Sequence, residues 1–183
     1  MRIPITFLGV IVIVSGIFSS CGEKKAEEQN TMVSAPATPD KADLEKKLRA
    51  ANDSLYAALN AMFIGDMTPM DSVWSHSDDI TDMGPFGGRL VGWSDVYKEF
   101  KKEADMKLGG KVVCNDLVVH AGTDMGYTVC VEEGENMSAA GKSVKVSHRA
   151  TNIFRLENGE WKLVHHHTDL SPQLQKAIDM EKK

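Results

Sequence analysis

The chain has 183 residues, a formal net charge of −5 and a hydrophobic fraction of 42%. This length predicts one domain with an appendage, and this composition excludes disorder of the whole chain. The acidic balance argues against a nucleic-acid-binding protein, which usually carries a basic face.

The N-terminus is typical of an export signal. Arg2 supplies a positive charge, and the segment 3–18 that follows is almost wholly apolar. A bilayer span needs about 20 apolar residues, so this segment fits a signal peptide better than a transmembrane helix. It ends in Ser19-Ser20-Cys21, which resembles the lipobox of bacterial lipoproteins. We therefore predict a lipoprotein signal peptide at 1–20 and lipidation of Cys21, the alternative being an ordinary secretory signal with a chance cysteine.

A lipid anchor has consequences for location and for the other cysteines. Several acyl chains on one cysteine anchor a protein stably, so we expect it on the periplasmic side of the cell envelope. Gly22 in place of Asp favours the outer over the inner membrane, by analogy with lipoprotein sorting. Cys114 and Cys130 then lie in an oxidising compartment, and a three-residue turn at 121–123 would place them opposite each other. A disulfide between them and two buried free thiols both remain open.

The remaining chain divides into a tether, a domain and a tail. Residues 21–39 are rich in Lys, Glu, Ser, Ala and Pro and cannot bury a core, which predicts a flexible tether. The domain is predicted to span 40–172, with a C-terminal tail at 173–183.

Helical periodicity dominates the first half of the domain. Apolar residues recur at spacings of three and four from Leu44 to Met62, which predicts one long helix with Asp40 as its cap. The predicted elements after it are a single turn at 70–74, an irregular loop at 75–92 with space for a short strand, and a second helix from Ser94 to the glycines at 109–110.

From Lys111 onward the pattern has a period of two. The predicted strands are 111–120, 125–132, 143–156 and 161–168. This order predicts an α+β domain, with two or three helices packed on an antiparallel sheet of four or more strands.

Asn158-Gly159, between the last two strands, is a strong signal for a two-residue hairpin turn. The pairs that such a turn predicts are Leu156 with Trp161, Phe154 with Leu163, Asn152 with His165, and Ala150 with His167. Alternation places these residues and His148 on one face, which is the less polar one and is therefore expected to face the helices. A β-bulge would invert the assignment beyond it.

The stretch 149–169, RATNIFRLENGEWKLVHHHTD, resembles the C-terminal strands of SnoaL-like domains in the nuclear transport factor 2-like superfamily. The segment Trp74-Ser-His76-Ser-Asp78-Asp79, with Gly84-Pro85 and Gly92-Trp93, is similar to the loop and second helix of that family. The resemblance implies a cone-shaped α+β barrel, in which a curved antiparallel sheet wraps around a long N-terminal helix and encloses a cavity. It also implies a homodimer through the outer face of the sheet.

Candidate ligand-binding residues are those expected to line this cavity. They are Trp74, His76, Met83, Trp93, Tyr97, His148, Asn152, His165 and His167. Core packing is the alternative for the tryptophans, and a hydrogen-bonded polar cluster is the alternative for the histidines. Two histidines at i and i+2 share a face of a strand, but no recognised zinc motif accompanies them, so we predict no metal and no cofactor.

Three functions remain open. We favour a non-catalytic, lipid-anchored domain that holds a small apolar molecule or a peptide, because the spacing of residues shows no acid–base pair. One alternative is an enzyme of the same fold that performs proton transfer, hydration or cyclisation with His165 or His167 as the base. The other is an envelope-assembly protein whose cavity is incidental.

Overall fold

The structure is a computed structural model, and it describes residues 40–107, 109–137, 142–172 and 176. The predicted signal peptide, Cys21 and the tether at 21–39 lie outside the described residues, as does almost all of the predicted tail. Contacts divide the chain into two units, 1–37 and 38–183, and the second holds the whole described core. No helix in the described ranges is long and apolar enough to cross a membrane.

The long first helix, α1 (Lys41–Met62), is confirmed. The side chain of Asp40 accepts a hydrogen bond of 3.1 Å from the backbone N–H of Ala42, which otherwise has no partner at a helix start. The predicted apolar stripe is buried, including Leu48, Leu55 and Met62. The chain then turns at Gly65, whose φ of 97° favours glycine.

The middle of the domain contains more regular structure than the sequence predicts. The elements are α2 (Thr68–Val73), β1 (Thr81–Met83), β2 (Leu90–Val91) and α3 (Trp93–Met106). The two short strands occupy the segment predicted to be an irregular loop, because each gains backbone hydrogen bonds from a neighbouring strand. In particular, β1 pairs in parallel with a strand far along the chain.

Four long strands complete the sheet: β3 (Gly110–Ala121), β4 (Met125–Met137), β5 (Ser143–Glu157) and β6 (Glu160–Thr168). The strand order is β2-β1-β6-β5-β4-β3, and each neighbouring pair is antiparallel except β1 with β6. The curved sheet packs one face on α1, which confirms the α+β cone. Leu48 of α1, Trp74, Phe154 of β5 and Leu163 of β6 are nearly inaccessible in the core.

The β5–β6 hairpin confirms the predicted turn but corrects the predicted register. Leu156 pairs with Trp161 and Phe154 pairs with Leu163, as predicted. Beyond them β6 carries an extra residue, so Ile153 pairs with His165 and Asn152 pairs with His166. Because side chains alternate along a strand, residues of β6 beyond this bulge face the side opposite to the predicted one.

The predicted inward orientation of His165 and His167 is therefore wrong. His166 is buried on the inner face, whereas His165 is half-buried and His167 is exposed on the other side. The predicted pair of Ala150 with His167 is also wrong, since Ala150 pairs with Thr168.

The predicted opposition of Cys114 and Cys130 is wrong as well. Ala121 pairs with Gly126, so the connection between β3 and β4 is longer than a three-residue turn, and a bulge shifts the register again after Asn115. Cys114 consequently pairs with Glu132, and both cysteines are free thiols. The disulfide left open by the sequence is not formed in this structure.

Candidate functional site

A cavity of about 350 Å³ lies on the inner side of the sheet. Helices α1 and α3 and the inner face of the sheet form its apolar wall. The apolar residues that line it include Leu59, Met62, Phe63, Leu90, Phe100, Val112 and Val146. This volume and this mainly apolar wall are typical of sites for small molecules.

The segment between β1 and β2 forms the mouth of the cavity. Phe86, Gly87, Gly88 and Arg89 line the cavity and are also exposed to solvent. Gly87 and Gly88 have φ values of 85° and 84°, which favour glycine and let the backbone turn sharply here. The mouth is therefore built from backbone and from side chains that reach solvent.

Asp82 of β1 is the first polar group on the wall. It pairs with His166 of β6 in the parallel ladder, so both side chains point to the interior. The backbone N–H of Gly84 donates to the carboxyl, whereas Oδ1 is buried and has no hydrogen-bond partner. Burial disfavours the charged form and raises the pKa of Asp82 from 3.8 to about 7.

Glu132 of β4 is the second polar group. Its Oε1 accepts a hydrogen bond of 2.9 Å from the hydroxyl of Tyr56, and its Oε2 lies 3.7 Å from Nε2 of His148. Burial raises the pKa of Glu132 to about 7, partly offset by the Tyr56 hydrogen bond. Burial and the charge of Glu132 also raise the pKa of Tyr56, so the phenol keeps its proton and remains a donor.

Glu103 of α3, which is only partly buried, adds a third carboxyl. Burial, followed by the nearby charges of Asp82 and Glu99, raises the pKa of Glu103 to about 8. The three carboxyls thus all exchange protons near neutral pH, and the charge of Asp82 raises the pKa values of both Glu103 and Glu132. Perturbed groups of this kind gathered in one cavity are characteristic of functional sites.

A buried hydrogen-bond chain fixes the state of His166. Its Nδ1 lies 2.7 Å from Oδ1 of Asn152, and Nδ2 of Asn152 donates to Oδ1 of Asn52 at 3.2 Å. Thr128 also donates to Oδ1 of Asn52, at 2.8 Å. Because the Asn152 oxygen can only accept, Nδ1 of His166 carries the proton and Nε2 keeps a lone pair.

Both cavity histidines remain neutral at neutral pH. Burial, followed by the charges of neighbouring histidines, lowers the pKa of His166 to about 3. Burial also lowers the pKa of His148, against the opposing charge of Asp169. The polar part of the wall therefore combines carboxyls with uncharged imidazoles.

One of the nine sequence-predicted binding residues, His148, lines this cavity in the described part of the chain. Asn152 lies behind the wall and holds His166. Trp74 is buried in the core, with its ring 5.8 Å from that of Phe100. Met83 is partly buried in β1, where it pairs with His167.

Three further predicted residues form an aromatic cluster away from the cavity. The rings of His76 and Trp93 stack with centroids 4.6 Å apart, and Trp93 contacts Tyr97 edge to face at 5.4 Å. On the outer side of β6, Nδ1 of His165 lies 2.6 Å from Oγ1 of Thr81. Any part that these residues take in binding stays a prediction.

The sequence analysis missed Asp82, Glu103, Glu132 and His166. Glu132 had a usable signal, because alternation along β4 places it on the same face as Cys130. Asp82 had none, since its strand has three residues and is defined by its pairing with β2 and with the distant β6. Among the described residues, no group of His, Cys, Asp and Glu is arranged to hold a metal ion.

A curved sheet wrapped around a long helix, with a cavity on its inner side, defines a domain of the nuclear transport factor 2-like superfamily. A model of the SnoaL-like domain matches residues 48–171, and the chain belongs to this family. The resemblance seen in residues 149–169 is thereby confirmed.

Solved structures support the same fold. A proposed dehydratase of the nuclear transport factor 2-like family from Streptomyces avermitilis matches with a TM-score of 0.64 and 21% identity, over 73% of this chain and 99% of that one. A superfamily protein from Salmonella enterica serovar Typhimurium matches with a TM-score of 0.63 and 13% identity, over 71% and 92%. The association domain of C. elegans calcium/calmodulin-dependent kinase II matches with a TM-score of 0.54 and 16% identity, over 69% and 98%. A search of curated proteins finds no match.

Proposed function

We propose that the domain binds a small molecule that has an apolar body and a polar end. The observation that carries this proposal is the 350 Å³ cavity itself, whose apolar wall is interrupted by one group of inward carboxyls and imidazoles. The wall of α1 and β3 would contact the body of the ligand, and Asp82, Glu132, His148 and His166 would contact its polar end.

Two adjacent valines of β3, one on each face of the sheet, test occupancy of the cavity. Val112 lines the cavity, whereas Val113 is 41% exposed on the outer face of the sheet. We expect Val112→Phe to fill the cavity and to abolish the thermal stabilisation that small-molecule ligands give at fixed protein concentration. Val113→Phe is the matched control and should keep it. Equal effects of the two substitutions, in folded variants, would contradict the proposal.

Proton-transfer catalysis is a second candidate, favoured by one specific observation. Asp82 and His166 are neighbours in the β1–β6 ladder, and Asp82 exchanges its proton near neutral pH while Nε2 of His166 keeps its lone pair. A general acid or base works best when its pKa lies near the working pH. The reason for favouring a non-catalytic protein, the lack of an acid–base pair, therefore no longer holds.

Turnover separates the two candidates. If the domain is an enzyme, Asp82→Asn should lower kcat about 10²-fold or more, which is typical for loss of a general base, while the exposed Asp78→Asn should not. If a ligand binds but is not turned over by the wild type or by either variant, the domain has a binding function and no catalytic one.

Location and assembly complete the proposal. We propose a lipid anchor at Cys21 on the periplasmic side of the envelope, based on the signal sequence, and outer-membrane placement based on Gly22. Mass spectrometry of the membrane fraction should find acyl chains on Cys21. A chain retaining residues 1–20, or cleaved without lipid, would contradict the anchor.

We also propose a homodimer through the outer face of the sheet. Val118 and Tyr127 are 46% and 44% exposed on this face, with Met125 beside them at 40%, and such apolar patches commonly mark interfaces. Tyr127→Glu should convert a dimer to a monomer in light scattering, and a wild-type monomer at high concentration would exclude this assembly.

A further inference from the structure

We propose that the cavity ligand is a cation, an apolar amine whose ammonium group lies among the carboxyls of Asp82, Glu103 and Glu132. This inference rests on the proposed binding function and names its ligand class. It follows from the charges on the wall, from the hydrogen-bond groups that the wall leaves open, and from the shape of the cavity.

The wall has a surplus of acids. Four carboxyls line the cavity, those of Asp82, Glu99, Glu103 and Glu132. Among the described lining residues the one permanent cation is Arg89, which is exposed at the mouth and therefore screened by water and salt. A ligand that brings positive charge to the inner carboxyls would supply what the wall lacks.

Open hydrogen-bond positions point to the same ligand. Asp82 is 6% exposed, and its buried Oδ1 has no hydrogen-bond partner. Glu132 is 4% exposed, and its Oε2 lies 3.7 Å from His148, beyond hydrogen-bond distance. Nε2 of His166 also keeps a lone pair. An ammonium group carries three donors and no acceptor, so it matches this wall once the carboxyls are ionised, whereas a carboxylate ligand does not.

The apolar part of the wall requires more than a bare ion. Met62, Phe63 and Phe100 line the same cavity as the carboxyls, and the described residues form no metal-binding group. Burial of an alkyl or aromatic body against these side chains contributes roughly 25 cal/mol for each Å² removed from water. The ligand class is therefore an amine with a hydrophobic body.

Proton linkage fixes the direction in which the affinity for an amine must change with pH. The carboxyls are largely protonated below about pH 6, and an ammonium ion binds their ionised form, so binding must release protons. Other titratable or charged groups around them are Tyr56 of α1, Arg89 of the mouth, Glu99 of α3, Cys114 of β3, Cys130 of β4, His148 of β5 and His166 of β6. Burial lowers the pKa values of both imidazoles, so they are neutral at neutral pH. The pKa of Cys114 is lowered to about 7, but Cys114 does not line the cavity, so variants of the carboxyls are needed to assign the pH dependence.

Three probes of nearly equal size test which charge the cavity prefers on the polar end of a ligand: 4-phenylbutylamine, 4-phenylbutanol and 4-phenylbutyrate. Their Kd values are measured by calorimetry on residues 38–183, which hold all of the described core. We expect the amine to bind at least tenfold more tightly than the alcohol at about pH 8. Its affinity should fall up to tenfold per pH unit below about pH 7 for each proton released, and heats in buffers of different ionisation enthalpy should report that release.

Isosteric variants assign the effect to the cavity. Asp82→Asn and Glu132→Gln should each remove most of the preference for the amine and flatten its pH dependence. Glu133→Gln is the matched control, because Glu133 is the next residue on β4 and is exposed on the other face. Keeping the preference in both cavity variants, or losing it equally in the control, would overturn the inference.

The three probes also separate this inference from the function on which it rests. Tighter binding of the alcohol or the carboxylate, or amine affinity that does not rise with pH, overturns the cationic ligand alone. Failure of all three to bind at millimolar concentration overturns both the ligand class and the proposed binding function.

Discussion

Replacement of Glu132 by Gln is expected to stabilise the free protein, and the gain should depend on pH. Glu132 is 4% exposed, and folding raises its pKa from the ordinary 4.5 to about 7. A group whose pKa is raised by folding stabilises the protein fully below its unfolded pKa. That stability is then lost as the pH rises through the folded pKa.

The structure sets the size of this effect. A shift from 4.5 to about 7 corresponds to a loss of about 3 kcal/mol between pH 4 and pH 8, since one pKa unit is worth about 1.4 kcal/mol. Gln keeps an oxygen that accepts from Tyr56 and carries no titratable proton. The variant should therefore match the wild type near pH 4 and exceed its stability by about 3 kcal/mol near pH 8.

Urea unfolding across this pH range measures the difference directly, because the titrations of Asp82 and Glu103 contribute to both proteins and largely cancel. Glu133→Gln serves as the surface control and should change stability by less than about 0.5 kcal/mol at any pH. A Glu132→Gln variant no more stable than the wild type at about pH 8, or a difference independent of pH, would refute the reasoning.

Three further predictions concern the interior. Asn152→Ala leaves the proton on Nδ1 of His166 without its acceptor and removes one of the two donors to Oδ1 of Asn52, the other being Thr128. Urea unfolding should therefore show a loss of about 2–4 kcal/mol, and a loss below about 1 kcal/mol would contradict the hydrogen-bond chain. His166 should keep its Nδ1–H tautomer from about pH 8 to pH 5 in ¹⁵N NMR, because its pKa is lowered to about 3; protonation within that range would disprove the burial argument. Phe154→Ala removes a fully buried ring and should cost about 3–5 kcal/mol, whereas Phe86→Ala at the exposed mouth should cost less than about 1 kcal/mol, and similar losses would place Phe154 outside the core.

Local signals predicted the long elements well. The apolar stripe of α1 and the alternation of β3 to β6 are properties of neighbouring residues, and each side chain in such a pattern is buried for the same reason. Asn158-Gly159 predicted the final turn, because both residues adopt positive φ there, 52° and 86°. These predictions needed no knowledge of what packs against each element.

Prediction of the site failed where it depended on the register between paired strands far from the connecting turn. One extra residue in β6 moved His166 inside and His165 and His167 outside. No composition or spacing marks this bulge, since the run of three histidines is polar on both faces. The error in the β3–β4 register, which misplaced Cys114 relative to Cys130, has the same origin.

The family, the α+β class and the identity of α1 as the central helix were contained in the sequence, because periodicity and turn chemistry act within a few residues of each other. The acid group of the cavity was decided by tertiary structure. Asp82 reaches it through a three-residue strand that pairs with β6, Glu103 through α3 and Glu132 through β4. Their pKa values are raised by burial and, for Glu103 and Glu132, also by the charge of Asp82, and these effects exist only after segments distant in the chain have packed together.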